Sequence, residues 1–195
     1  MAIAASVQGQ PDFLCIDCGI AEDGNTDDNG TIFYTSDAKF IQTGTNKNIS
    51  EDYITEQLPR QYQNLRFFPD GNRSCYTLTP VTKSNRYLLR ASFMYGNYDA
   101  LNNPPKFDVY VGVNRWEVTL PSTAEERTMN EIIVYTTMNY VSVCLVNTGS
   151  GIPFISTLES RRLNNLAYQA AKESQSLRLN NRYHFRQTGH GPMIR

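Results

Sequence analysis

The residues with the clearest chemical potential in this sequence form one short loop, which follows an apolar run. Tyr95 and Tyr98 offer flat aromatic faces in this loop. Asn97 and Asp99 place hydrogen-bonding groups beside them. Flat rings next to amide and carboxylate groups suit the apolar face and the hydroxyls of a sugar ring. The alternative is structural, with Tyr95 closing the core and the two polar residues forming the turn.

Three further aromatic residues are candidates to extend this loop into an aromatic platform, namely Tyr34, Tyr76 and Trp116. The competing interpretation for each is core packing, because aromatic residues in strands bury area more often than they bind ligands. Trp116 follows the turn-like stretch "VGVN" and in that interpretation closes a hairpin. Both interpretations remain open for all three residues.

The elements that must position these residues are strands, because sustained helical periodicity is absent before about residue 160. In "KFDVYVGV" the apolar residues fall on alternate positions, which is the period of a strand with one buried face. The pattern predicts an all-β fold, an antiparallel jelly-roll-like β-sandwich, with a closed barrel as the alternative. The predicted strands are Phe13 to Asp17, Thr31 to Tyr34, Leu65 to Phe68, Cys75 to Leu78, Tyr87 to Met94, Phe107 to Val113, Glu131 to Tyr135, Tyr140 to Val146 and Phe154 to Glu159.

The loop itself is predicted to be stiff. Alternation along the strand from Tyr87 to Met94 places Tyr95 on the inward side at the strand's end. Gly96 and Asn97 tolerate positive φ and can turn the chain, while the prolines at 104–105 restrict the approach to the next strand.

The four cysteines allow three complete disulfide pairings, and the sequence does not choose among them. Cys15 and Cys18 form a C-x-x-C pair, while Cys75 and Cys144 stand alone. Redox or zinc chemistry is disfavoured, since no second such pair follows and positions 15 and 18 of a strand point to opposite faces.

Three N-x-S/T acceptor sites, at Asn29, Asn48 and Asn72, lie in polar, loop-like stretches. Three such sites favour a secreted chain that carries glycans, in which disulfides can form. The start "MAIAASVQGQ" is interpreted as a signal-peptide remnant or a truncated start, and no apolar run is long enough to span a membrane.

Several classes of function are excluded or disfavoured. A net charge of −1 with scattered charges provides no field for nucleic acid. The acidic stretch at 22–30 lacks the glutamate of a calcium-binding EF-hand, so no metal is predicted. No convergent pair of carboxylates, catalytic triad or phosphate loop is recognisable, which predicts a chain without enzymatic activity or cofactor.

The chain divides into three predicted parts. Residues 1–11 are the signal-peptide remnant or a disordered start, 12–165 form the β domain, and 166–195 form a linker and the truncated start of a second unit. This last part is polar and includes a helix-compatible segment, so it is expected to be partly helical or disordered.

The chain resembles the malectin-like ectodomain of plant receptor-like kinases. The resemblance rests on "IDCG" at Ile16 to Gly19, "TGTNKNIS" at Thr43 to Ser50, "LRFFPDGNRSCYTL" at Leu65 to Leu78, "RASFMYGNYD" at Arg90 to Asp99, "PKFDVYVGVNRW" at Pro105 to Trp116 and "VSVCLVNTGSGIPFISTLESRRL" at Val141 to Leu163. "SLRLNNRY" at Ser176 to Tyr183 resembles the start of the second unit in such tandem ectodomains.

The resemblance implies a jelly-roll-like sandwich related to carbohydrate-binding modules, displayed outside the plasma membrane or secreted. The leading hypothesis is a non-catalytic module that binds a cell-wall oligosaccharide through Tyr95 and Tyr98, with Asn97 and Asp99 contributing polar contacts. The rival is a module that docks a peptide ligand or a co-receptor and has no affinity for sugar. A third hypothesis is a truncated product that does not fold stably without its second unit.

Overall fold

The computed structural model describes residues 13–21, 25–27 and 32–180 of the 195-residue chain. The predicted signal-peptide remnant, Asn29 and residues 181–195 lie outside these ranges. Short 3-10 helices cover Asp37–Lys39, Glu51–Tyr53 and Arg60–Tyr62. The strands of the described part are β1 (Phe13–Asp17), β2 (Asn25–Asp27), β3 (Phe33–Ser36), β4 (Thr45–Asn48), β5 (Asn64–Phe67), β6 (Arg73–Leu78), β7 (Arg86–Met94), β8 (Lys106–Val111), β9 (Asn114–Trp116), β10 (Arg127–Tyr135), β11 (Val141–Ser150), β12 (Phe154–Ile155), β13 (Thr157–Arg162) and β14 (Leu177–Leu179).

The described strands form three sheets. One sheet has the order β14-β10-β7-β13-β1-β3-β2, a second has the order β6-β11-β8-β9, and a third has the order β12-β5-β4. β1 and β3 run parallel, whereas β7 pairs antiparallel with both β10 and β13. None of these sheets closes on itself, so the all-β sandwich is confirmed and the barrel alternative is wrong.

The core lies between the seven-stranded and four-stranded sheets. Phe93 of β7 contacts Phe107 of β8 with ring centroids 5.8 Å apart, and both rings pack against Phe154. The predicted inward alternation of β7 is confirmed, since Leu89 and Phe93 are fully buried. Burial of these large apolar side chains is the main stabilising contribution to the sandwich.

Two predicted strands are divided in the structure. The run from Phe107 to Val113 ends at Val111, because Gly112 has a φ of 59° and turns the chain into β9. The run from Phe154 to Glu159 is divided between β12 and β13. The polar strand β4, "TNKN", was not predicted, because all four of its residues are exposed and it has no apolar alternation.

The C-terminal part of the described chain differs from the prediction. No helix forms between residues 163 and 180, so the expected helical segment is wrong over this range. Instead β14 pairs with β10 at the edge of the seven-stranded sheet. Leu177 and Leu179 pack against a small cluster that contains Leu88 and Ile133, so apolar burial holds this segment on the sandwich.

One disulfide joins the two cysteines that lie on neighbouring strands, Cys75 of β6 and Cys144 of β11. Cys15 and Cys18 are free thiols, and both are buried. The pairing follows from sheet register, because Cys75 and Cys144 stand directly opposite each other.

Candidate functional site: the rim loop

The candidate site is the loop between β7 and β8, here called the rim loop (residues 95–103). Gly96, Asn97, Ala100 and Asn102 have positive φ values between 48° and 60°. A Cβ atom on Gly96 would collide with the side chain of Ile49, so the close approach of these two segments requires glycine. The predicted use of Gly96 and Asn97 to turn the chain is confirmed.

Tyr95 is the central structural residue of the rim loop. Its side chain is fully buried, and its hydroxyl lies within hydrogen-bond distance of Asn97 Oδ1 (3.2 Å) and of Asp99 Oδ1. The backbone N–H of Asn103 donates to the same hydroxyl at 3.3 Å. Burial, together with the hydrogen bond to Asp99, raises the pKa of Tyr95 to about 12. The hydroxyl is therefore occupied within the loop.

Tyr98 is equally enclosed, with 5% of its surface exposed. Its ring centroid lies 5.4 Å from that of Phe67, 5.6 Å from that of Tyr95 and 5.7 Å from that of Phe154. Its hydroxyl donates to the carbonyl of Ile152 at 3.3 Å. Burial raises the pKa of Tyr98 well above its ordinary value. Its ring faces are therefore used for packing.

The other three candidate aromatic residues are also buried, and they lie on three different strands. Tyr34 on β3 donates to Glu159 Oε1 at 3.1 Å, and Tyr76 on β6 donates to Asp37 Oδ2 at 2.9 Å. Trp116 on β9 is 2% exposed. No ring contact joins any of the three to the rim tyrosines in the described part of the chain.

The prediction of an open aromatic platform is therefore wrong in its geometry. Tyr34, Tyr76, Tyr95, Tyr98 and Trp116 each have at most 5% of their surface exposed. The physical reason is that an aromatic side chain at a strand end gains more from burying its large apolar area than from standing in water. Core packing, the competing interpretation, describes all five rings.

The rim loop nevertheless exposes one large apolar side chain. Leu101 is 69% exposed, and its neighbours Asn102 and Asn103 are exposed as well. Its backbone N–H donates to Asp99 Oδ1 at 3.1 Å, and the N–H of Asn102 donates to Asn97 Oδ1 at 2.9 Å. Asn97 and Asp99 thus hold the tip of the loop in place. Leu101 was not among the residues predicted from the sequence, although a single apolar residue within a polar loop was a visible signal.

A buried polar cluster explains part of the "IDCG" stretch and several neighbouring residues. Arg66 on β5 binds both carboxylate oxygens of the fully buried Asp37, at 2.5 and 2.7 Å. Tyr76 adds a third hydrogen bond to this carboxylate, and Cys18 lies close enough for Asp37 to influence its titration. A Cβ on Gly19 would collide with the backbone of Leu65. The stretch serves packing and hydrogen bonding within the fold.

Two carboxylates do converge in the seven-stranded sheet, and a single arginine lies between them and pairs with both. Arg90 on β7 contacts Glu131 on β10 at 2.8 Å and Glu159 on β13 at 3.0 Å. These three residues stand side by side across the three strands. Both carboxylates are engaged by the same guanidinium, so the row serves as an ion-pair network on a partly buried sheet face.

The remaining predicted sites can be placed or set aside. Asn48, at the end of β4, and Asn72, just before β6, are both exposed. Across residues 13–21, 25–27 and 32–180, no group of three or more His, Cys, Asp or Glu side chains could hold a metal ion. None of the helices within these ranges is long and apolar enough to cross a bilayer.

Comparison with known proteins adds a family and a fold. The family model described as "Malectin-like domain" matches residues 16–195. A probable leucine-rich-repeat receptor-like serine/threonine-protein kinase of Arabidopsis thaliana is 45% identical over 167 residues, covering 85% of this chain and 19% of that protein. A putative leucine-rich-repeat receptor-like protein kinase of the same plant is 43% identical over 169 residues, with 86% and 19% covered.

Among solved structures, the chain is similar to the ANXUR2 extracellular domain of Arabidopsis thaliana, with a TM-score of 0.66 and 19% identity over 79% of this chain and 42% of that one. The plant receptor-like kinase FER gives a TM-score of 0.65 with 19% identity, covering 80% and 43%. The chain therefore spans about a fifth of the kinases' length and less than half of the solved ectodomains. At these identities the solved structures support the fold.

Proposed function

The chain belongs to the malectin-like domain family, and from this premise we propose that it is an extracellular, non-catalytic recognition unit of a plant receptor-like kinase ectodomain that binds a peptide or protein partner. The kinase regions of its relatives lie outside the segment that the chain matches, so any signalling belongs to such a longer protein. A peptide or a co-receptor protein, the alternative partner in the sequence analysis, is thus preferred here to a cell-wall oligosaccharide.

The observation that carries this proposal is the burial of the rim tyrosines beside an exposed Leu101. A sugar-binding surface of the expected kind needs open ring faces, and the rings of Tyr95 and Tyr98 are closed. A rigid loop that presents one apolar side chain among asparagines suits a protein interface, where such a residue enters a pocket of the partner.

One structural neighbour supports the choice of partner class. The crystal structure of the plant peptide RALF23 in complex with FER and LLG2 has a chain similar to this one, with a TM-score of 0.61 and 17% identity, over 81% of this chain and 41% of that one. That complex shows an ectodomain of this fold assembling with a peptide and a second protein. We extend the class of partner to the present chain, and not the identity of the partner.

The test compares Leu101→Asp with Leu166→Asp, a matched control at another leucine that is 80% exposed. Full chain from a secretory host is titrated against secreted plant peptides and receptor ectodomains, including RALF23 and LLG2, and against cell-wall oligosaccharides. We expect binding to a protein or peptide probe, weakened at least about tenfold by Leu101→Asp and unchanged by Leu166→Asp.

The opposite pattern would restore the oligosaccharide hypothesis. Binding to a glycan alone, with equal affinity in wild type and Leu101→Asp, would overturn both the partner class and the role of the rim loop. Thermal melting of wild type, Leu101→Asp and Leu166→Asp shows whether a loss of affinity is separate from a loss of stability. The same measurement tests whether the chain folds without further units.

A further inference from the structure

A recess opens at the end of the sandwich opposite the rim loop. It has a volume of about 610 Å³ and lies between the hairpin that joins β8 to β9 and the turn that joins β10 to β11. Tyr135, which lines this recess, pairs with Arg86 at the start of β7. The rim loop follows the other end of this nine-residue strand, about 26 Å away. The recess is here called the hairpin cleft, and it shares no lining residue with the rim loop.

The floor of the hairpin cleft is made of core residues. Ile132 and Val134 of β10 and Val141 of β11 are 6–8% exposed, and all three belong to the main hydrophobic core. Val111, at the end of β8, is half-buried and packs against the same core. Because β10 belongs to the seven-stranded sheet and β8 and β11 to the four-stranded sheet, the cleft opens between the two sheets. A molecule that enters it meets the apolar interior of the sandwich.

Large apolar side chains surround the mouth of the cleft. Val113 at the tip of the hairpin is 89% exposed, Met138 is 52% exposed and Tyr140 is 44% exposed. The two turns that carry them are joined by a hydrogen bond from the N–H of Gly112 to the carbonyl of Ser142, at 2.8 Å. Exposed apolar residues that cluster in this way, unlike those that stand singly, mark a surface that binds another molecule.

Polar groups are available along one wall of the cleft. The turn at 172–176 forms this wall, and its backbone is closed by two hydrogen bonds between Lys172 and Gln175, at 2.8 and 3.0 Å. Among the described residues, nothing forms a hydrogen bond or an ion pair with the side chains of Lys172, Gln175 or Tyr140. These side chains can therefore donate to a ligand without giving up a bond within the fold.

The charge of the hairpin cleft favours an uncharged ligand. Its charged lining residues are Arg115, Lys172 and Glu173. Arg115 pairs with Asp108 at 2.7 Å, which leaves one cation and one anion as neighbours in the sequence. Opposite charges this close together produce little net field, so the cleft does not select a charged molecule.

We propose that the hairpin cleft binds an uncharged, amphipathic small molecule. Its apolar ring or chain lies on the core residues of the floor, and its hydrogen-bonding end lies near the turn at 172–176. The volume of the cleft falls within the range of about 300–1,000 Å³ that is typical of small-molecule sites, and so does the combination of an apolar floor with a few polar groups.

The shape of the cleft separates this ligand from a protein partner. A flat protein surface would rest on Val113 and Met138 at the mouth, whereas a small molecule can pass between them and cover Ile132 and Val134. The inference goes beyond the proposed function, because it adds a site at the opposite end of the sandwich whose ligand differs in class from the partner of Leu101.

The experiment uses Nile red, an uncharged fused-ring molecule with a carbonyl at one end, whose fluorescence rises when it leaves water for an apolar site. Full chain from a secretory host is titrated with it, and we expect saturable binding. A double variant, Val113→Asp with Met138→Asp, should weaken binding at least about tenfold, because the carboxylates at the mouth would lose hydration against an apolar ligand.

The control is Leu166→Asp, at a leucine that is 80% exposed and does not line the cleft, and its affinity for Nile red should equal that of wild type. Val113 and Met138 are both more than half exposed, so the double variant should keep the fold, which thermal melting checks. Methyl NMR then locates the dye. The methyl resonances of Ile132 and Val134 should shift on binding, and those of Ile16, a fully buried residue outside the cleft, should not.

Four results would overturn the inference. They are the absence of saturable binding, an equal affinity in the double variant, methyl shifts confined to residues outside the cleft, and loss of the dye in Leu101→Asp, which would place it on the rim loop. A dimer in analytical ultracentrifugation that the double variant dissociates would assign the mouth to a second copy of this chain and would also overturn the inference. None of these results depends on whether the rim loop binds a protein or peptide, so the proposed function is tested separately.

Discussion

Truncation of Tyr98 tests whether the rim tyrosines are core residues or ligand contacts. Tyr98 is 5% exposed, and its ring is surrounded by Phe67, Tyr95 and Phe154 at centroid distances of 5.4 to 5.7 Å. Replacing a buried aromatic ring with alanine costs about 3–5 kcal/mol, because the apolar contacts are lost and a cavity remains. We therefore expect Tyr98→Ala to lower the free energy of unfolding by about 4 kcal/mol.

Tyr98→Phe is the matched control, since it keeps the ring and removes only the hydrogen bond to Ile152. Its expected cost is about 1 kcal/mol. Urea denaturation followed by fluorescence and circular dichroism gives both values, and a domain of this size typically has a total stability of about 5–15 kcal/mol. The alanine variant should thus be severely destabilised.

The result that would refute this reasoning is specific. If Tyr98→Ala lost less than about 1 kcal/mol of stability and at the same time lost affinity for an oligosaccharide, the ring would have to be open to solvent and ligand. The rim loop would then be the aromatic ledge expected from its sequence, and the proposal based on Leu101 would fail.

The remaining predictions concern the cysteines and the alkaline limit of stability. Replacing Cys75 and Cys144 together by alanine removes a cross-link that spans 69 residues, for which chain entropy predicts a loss of about 4 kcal/mol in urea denaturation; an unchanged midpoint would contradict it. Burial raises the pKa of both Cys15 and Cys18, so a thiol reagent at pH 8 should label neither in the native protein and both after unfolding, and rapid native labelling would show that they are accessible. The pKa of Tyr95 is raised from 10 to about 12, so its contribution to stability is complete below pH 10 and is lost as the pH rises to 12. Tyr95→Phe should therefore lose less stability than wild type across that interval, and identical pH profiles would show that the hydroxyl titrates normally.

The strands most accurately predicted from sequence are those with clear alternation. The predicted bounds of β1 agree with the structure, and the alternation in β7 correctly assigned Leu89 and Phe93 to the core. The polar strand β4 escaped prediction, because pairing with β5 holds it in place and its own sequence carries little periodicity.

The turn that follows β7 was predicted correctly, whereas the expected exposure of its tyrosine rings was wrong. Gly96 and Asn97 predicted a stiff turn after β7, and the structure has one. Whether the ring of Tyr98 faces water depends on its contacts with Phe67 of β5 and Phe154 of β12, two strands that are distant from the rim loop in sequence. Alternation within one strand carries no information on these partners.

The sequence by itself determined the class of fold and the position of the turn after β7, since these depend on the hydrophobic period and on the conformational preferences of neighbouring residues. The N-x-S/T glycosylation motifs are likewise read directly from the sequence. Only the tertiary structure decided that the tyrosine rings close the core, that Leu101 is presented to solvent and that Cys75 pairs with Cys144. Burial and pairing are relations between segments distant along the chain, and they are set when the sheets assemble.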